Sequence, residues 1–199
     1  MPNTSATGGA LLPVGTQQPA DLNLDLILQA VVAGALGLPG EMVRPRWQPL
    51  PPAQPPRGSD WCAIGIVSID ADTNAAMPHD GQTATEGSGQ DGLIRHEQFD
   101  LLCSLYGPNG GSNAAMLRDG LAVPQNREAL MAVGMAYVGA DTIRRVPDLI
   151  GQGWINRADI RLTFRRKIAR TYPVLNLLSA DGAFNAGAGT NTFSVENPA

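Results

Sequence analysis

Apolar and polar positions alternate with two different periods along this chain, and the changes of period mark its elements. Leu24, Ile27, Leu28, Val31 and Ala35 recur at helical spacing, with Asp21 as an N-cap and Gly37 and Pro39 as stop signals. Residues Trp61 to Asp70 carry apolar side chains on both parities, the pattern of a central strand covered on both faces. Leu93 to Tyr106 alternates, with Phe99, Leu101, Cys103 and Leu105 on one side and His96, Gln98, Asp100 and Ser104 on the other. The run from Tyr106 to Gly111 breaks that strand. Asn109 or Ser112 then caps a helix to about Ala122, and Pro124 opens a second short helix ending near Gly134.

Strands are expected at Met135 to Val138 and Thr142 to Val146, and a long one at Ile155 to Arg170. In the last, Ile160, Leu162, Phe164 and Ile168 form an apolar face opposite Arg161, Thr163, Arg165 and Lys167. The order α-β-β-α-α-β-β-β predicts an α+β fold, an α/β sandwich with a mixed or antiparallel sheet and helices packed on one face. Six prolines between Arg44 and Ser59 predict an extended, largely unpaired segment. The Gly-, Thr- and Asp-rich stretch from Ala71 to Asp91 reads as a projecting loop. Residues 1–20 and 185–199 have no periodicity, so they are expected to be flexible arms flanking one domain at 21–184.

Charge sharpens this outline. The formal net charge is -4, yet eight of the 14 basic residues fall between Arg144 and Arg170, where only Asp148 and Asp159 oppose them. Arg157, Arg161, Arg165, Arg166, Lys167 and Arg170 concentrate in one element and would repel one another unless paired, which makes them the candidate interface. An acidic surface on a neighbouring subunit is one counterpart. DNA backbone is another, although only Phe164 and Tyr172 stand near for base stacking.

Candidate chemistry is sparse. His79 and His96 belong to no zinc spacing, and Asp70, Asp72 and Asp80 lack the glycine and bidentate glutamate of a calcium loop. The glycine-rich stretches at 81–92 and 107–111 match neither phosphate-binding pattern, and no Gly-x-Ser-x-Gly elbow occurs. Cys62 and Cys103 read as buried free thiols of a reducing compartment. No catalytic, cofactor-binding or metal residues are therefore assigned. Neither a signal peptide nor a membrane span is read from the sequence, because the longest apolar segment, Leu24 to Leu38, is too short and is interrupted by Asp25 and Gln29.

Several strings resemble the bacteriophage neck or tail terminator proteins. They are Leu38-Pro39-Gly40, Val43-Arg44-Pro45-Arg46-Trp47-Gln48-Pro49, Asp60-Trp61-Cys62-Ala63 and Arg95-His96-Glu97, followed by Leu105-Tyr106-Gly107-Pro108, Arg118-Asp119-Gly120-Leu121, Pro124-Gln125-Asn126-Arg127 and Arg170-Thr171-Tyr172-Pro173-Val174-Leu175. They span roughly Leu22 to Ala180. The resemblance implies a non-catalytic virion protein, assembled in the host cytoplasm. It would close the head-proximal end of the tail tube as a homohexameric ring and meet the tube protein on one side and the neck or head connector on the other. It implies no cofactor and no catalytic residues. Two other classes stand beside it: a connector that contacts packaged DNA through the arginine strand, and a small hydrolase with a site assembled only in space.

Overall fold

The computed structural model describes residues 3, 7–15, 23–50, 52–71, 74–80, 88–150, 152–175, 179–187 and 189–196. In chain order the elements are helix α1 (Leu24–Leu36), strands β1 (Val43–Pro45), β2 (Trp61–Ala71), β3 (His79–Asp80) and β4 (Ser88–Tyr106), and helices α2 (Gly110–Ala122) and α3 (Glu128–Met131). There follow β5 (Met135–Ala140), β6 (Arg144–Arg145), β7 (Asp148–Ile150), β8 (Gly153–Ile155), β9 (Arg157–Leu175), β10 (Ser179–Ala186) and β11 (Gly189–Glu196). The chain divides into two compact units, and β4 and β9 contribute residues to both.

The first unit comprises Gln17–Asn74 and Arg95–Ile168. Its sheet runs β1-β2-β4-β9-β5, with β6 also on β9. β1 joins β2 in parallel, while β2–β4, β5–β9 and β6–β9 are antiparallel, so the sheet is mixed. Period-2 burial on β4 and β9 sets Phe99, Leu101, Cys103 and Leu105 beside Ala158, Ile160, Leu162 and Phe164, all at most 1% exposed. Leu28, Val32 and Leu36 of α1, Leu117 and Leu121 of α2 and Leu130 of α3 close the same core. This is the α+β arrangement that the alternating periods predict.

Helix α1 stops where expected. Gly37 adopts the left-handed conformation at φ 64°, and the N–H groups of Gly37 and Leu38 return to the carbonyls of Gly34 and Ala33, which satisfies the last turn. The Gln29 side chain then donates to the carbonyls of Gly40 and Val43 at 2.8 and 2.7 Å and ties the helix to β1. Asp21, the expected cap, lies outside the described residues, as do Asp72 and residues 81–87.

Local departures have physical causes. The proline segment is paired at its start, because β1 is an edge strand on which Pro45 loses no necessary donor, and the Arg46 N–H continues to the Ile64 carbonyl at 2.6 Å. Asn109 occupies the N-cap position of α2, but its side chain accepts no hydrogen bond from the helix; its amide group donates to Asp60, and its backbone N–H donates there too. Pro124–Arg127 forms a 3-10 turn before the single turn of α3. Of the strand expected at Thr142 to Val146, only Arg144–Arg145 pairs.

The second unit comprises Met1–Thr16, Ala75–Ile94 and Ala169–Ala199. Part of the expected loop is paired here: β3 lies antiparallel to β4 at Asp91 and Gln90, and Ala76 bridges Ile94. His79 Nδ1 meets Asp91 Oδ1 at 2.6 Å, an exposed pair. The sequence from 185, read as a tail, supplies most of an antiparallel ribbon in which β11 pairs β10 from Ser179↔Glu196 to Ala186↔Gly189. Phe184 and Phe193 stack on it at 5.4 Å.

Candidate assembly surface

The arginine strand does not present its six cations alike. Alternation along β9 sends Arg161, Arg165 and Lys167 to the face opposite the helices, where all three are exposed. Arg166 has the other parity and lies on the core side. It is 8% exposed, spans 3.0–3.1 Å from Nη2 and Nε to Glu97 Oε2, and rests over the Phe99 ring at 5.9 Å. Phe99 stacks in turn on Phe164. Arg166 is therefore a paired member of the core margin, and the premise that this strand's charge is unanswered within the chain fails for it.

Arg157 is also answered internally. Its Nε and Nη2 donate to the two oxygens of Asp159 at 2.8 and 2.7 Å, while Nη1 reaches Asp148 at 3.1 and 3.3 Å. The guanidinium lies over the ring of Tyr106, which stacks on Trp61 at 4.3 Å. Ser104, fully buried, donates to Asp159 Oδ1 at 2.5 Å and accepts from Arg46. Burial raises the Asp159 carboxyl, but the hydrogen bonds from Arg157 and Ser104 and the charges of Arg157 and Arg46 outweigh it, so the group sits below its ordinary value. The Asp159 carboxylate holds the Arg157 guanidinium above its ordinary value against the opposing effect of burial.

Further along the same face, Asp100 accepts from Thr163 at 2.8 Å and Ser68 at 3.0 Å and lies 3.7 Å from Arg161, which stays half exposed. The pairs Glu97–Arg166, Asp100–Thr163 and Ser104–Asp159 step forward on β4 as they step back on β9, the mark of antiparallel neighbours. Arg170 belongs to the second unit and is partly buried.

The outward face of β9 is thus graded. An ion-pair network closes the Arg157 end, and an exposed cationic row follows at Arg161, Arg165 and Lys167. Sequence reasoning put Asp100 and Ser104 on the polar face of β4 but missed their partners Thr163 and Asp159 on β9, and missed Arg46 altogether. Asp148 and Asp159 carried a usable signal, being the sole acids among eight basic residues. Among the described residues no group of three or more His, Cys, Asp or Glu side chains is placed to hold a metal. Cys62 and Cys103 are buried free thiols, and the Cys103 thiol is pushed up by its hydrogen bond with Cys62 and by burial.

The chain thus presents an α+β fold with a charged sheet face graded along β9. The family it falls in is definite: residues 23–188 match the family of phage neck terminator proteins, and the chain belongs to that family. It is accordingly a structural protein of the phage neck. No curated protein matches the chain. No helix among the described residues is long and apolar enough to cross a membrane.

Proposed function

We propose that this chain closes the head-proximal end of the phage tail tube as a homohexameric ring and offers the neck or head connector its docking surface. The observation that carries this reading is the exposed row Arg161, Arg165 and Lys167 on the open sheet face of a chain with net charge -4. A strand rises about 3.4 Å per residue, so Arg165 and Lys167 stand about 7 Å apart and Arg161 about 14 Å from Arg165. Such a row fits an acidic strip on an identical neighbour or on the tube protein, and heterologous contacts of this kind close into rings. The mechanism is steric: the ring occupies the end of the last tube layer, blocks further polymerisation and replaces the tube surface with one the connector accepts. No chemical step is required of it. Assembly takes place in the host cytoplasm before the tail joins the head.

The same spacing favours one second reading, in which the row contacts the phosphate backbone of the packaged genome without reading sequence. Arg161→Glu combined with Arg165→Glu tests the interface role. Both positions are exposed, so the subunit is expected to fold normally while ring formation or tube capping fails. Wild-type assembly by the double variant contradicts the role. DNA binding that weakens steeply with salt and is lost in the same variant supports the second reading.

A further inference from the structure

Trp47 lies on the open face of the sheet in the first unit, and the strand beneath it is shaped to receive it. The residue follows the hydrogen bond from the Arg46 N–H to the Ile64 carbonyl, and the Gln48 side chain braces the turn behind it by donating to the Pro45 carbonyl at 3.2 Å. Ile64 and Ile66 of β2 pack into the core, so Gly65 between them faces the open side. A Cβ there would stand 2.6 Å from Trp47 Cζ3, so the missing side chain lets the ring lie on the strand. The outer side of the indole stays open, at 64% exposure. An aromatic ring braced in this way loses little freedom on docking, and tryptophan is enriched among residues that dominate interface energies.

The ring stands in line with the cationic row. Gly65 pairs with Leu102 of β4. Leu102 falls midway between Ser104 and Asp100, as Arg161 does between their partners Asp159 and Thr163. Three neighbouring strands thus carry indole, leucine and guanidinium across one face, spanning about 10 Å. Exposed Asp70, set opposite Gln98, shares that face, and the Asp100 carboxylate stands 3.7 Å from Arg161. A phosphodiester backbone, anionic throughout, is repelled by these acids, whereas a protein surface can match both signs.

We infer that Trp47 is the apolar anchor of the contact made by the cationic row, and that a second copy of this chain occupies the face. Charge selects this occupant. Eight of the 14 basic residues and two of the 18 acidic ones lie within Arg144–Arg170, which leaves 16 acids against six bases elsewhere. Exposed acids stand on all three helices, on the side of the sheet away from the row: Asp25, Asp119 and Glu128, against Arg118, which is bonded to Asp119, and Arg127. A basic face on one side and acid elsewhere on the same chain make a head-to-tail contact, which can repeat around a ring. The inference rests on the ring reading above; it commits the row to an identical neighbour and adds Trp47 to the contact.

Trp47→Ala tests it by sedimentation velocity, with thermal unfolding as the control for folding. The expected result is a cooperative fold and self-association weakened by about thirtyfold, the effect of losing a hot-spot residue, while Trp47→Phe keeps most of the affinity. Hydroxyl-radical footprinting of the wild-type chain needs no variant. Trp47 should be oxidised in the dilute monomer and protected once the chain associates, in solution or on tail tubes. A Trp47→Ala protein that associates like wild type, a Trp47 oxidised equally in both states, or a Trp47 protected by duplex DNA and not by self-association overturns the anchor while leaving the ring reading intact. A wild-type chain that is monomeric both in solution and on tail tubes overturns both.

Discussion

Arg157 and Asp159 stand two residues apart on the same face of β9 and are joined by two guanidinium–carboxylate hydrogen bonds of 2.8 and 2.7 Å. Here the pair gathers Asp148, Ser104, Arg46 and Tyr106 into one network across three strands and a neighbouring loop.

Asp159→Asn is expected to destabilise the fold at pH 7 by about 2 kcal/mol, the scale of losing a charge-assisted partner at a site only partly open to solvent. The folded carboxyl lies below its ordinary value, so its contribution is fully present above the unfolded carboxylate range and drains as pH falls through the folded value. Urea unfolding should therefore separate wild type and variant most at neutral pH, with the gap closing below about pH 4. A gap that widens in acid contradicts this account of the pair.

Glu97→Leu leaves the Arg166 guanidinium buried without its carboxylate, at an expected cost of about 3 kcal/mol. Glu97→Leu with Arg166→Leu should recover most of that loss, because two apolar side chains on the Phe99–Phe164 stack need no counter-charge. Chemical denaturation of the two variants checks the ordering: the double variant should be the more stable.

Gly107→Ala addresses the turn between β4 and α2. Gly107 has φ 107°, and a Cβ there would lie 2.5 Å from the Ser59 carbonyl oxygen, so backbone would have to move. The expected loss is at least about 2 kcal/mol. Gly34→Ala, on α1 with open space at its Cβ, should by contrast be neutral or slightly stabilising. Thermal unfolding of both distinguishes steric demand from glycine content.

What the sequence disclosed follows from which forces act locally. The core faces of β4 and β9 were legible because burial repeats with the period of each strand, and Phe99, Leu101, Ile160 and Leu162 all fall where alternation puts them; on α1 only Leu28 and Val31 of the expected stripe are buried, and Val32, Ala33 and Leu36 complete the face. The strand pairings were not legible, since register depends on contacts far apart in sequence. The consequences are concrete: Arg166 looked like a surface cation because its partner Glu97 lies in another strand, and Ser104 looked solvent-facing because Arg46 and Asp159 cover it from elsewhere. The ribbon of β10 and β11 was missed because small and polar residues make up most of it, leaving Phe184, Phe193 and Val195 as its only large apolar side chains. Family membership was legible because short strings such as Leu105-Tyr106-Gly107-Pro108 and Arg118-Asp119-Gly120-Leu121 keep their order over most of the chain.

Electron microscopy of particles assembled without this protein tests the terminator role most directly. Tails that are overlong, or of normal length but detached from heads, are the expected result, with complementation by the wild-type chain restoring joined particles. Tails of normal length joined to filled heads in the absence of the protein would contradict it.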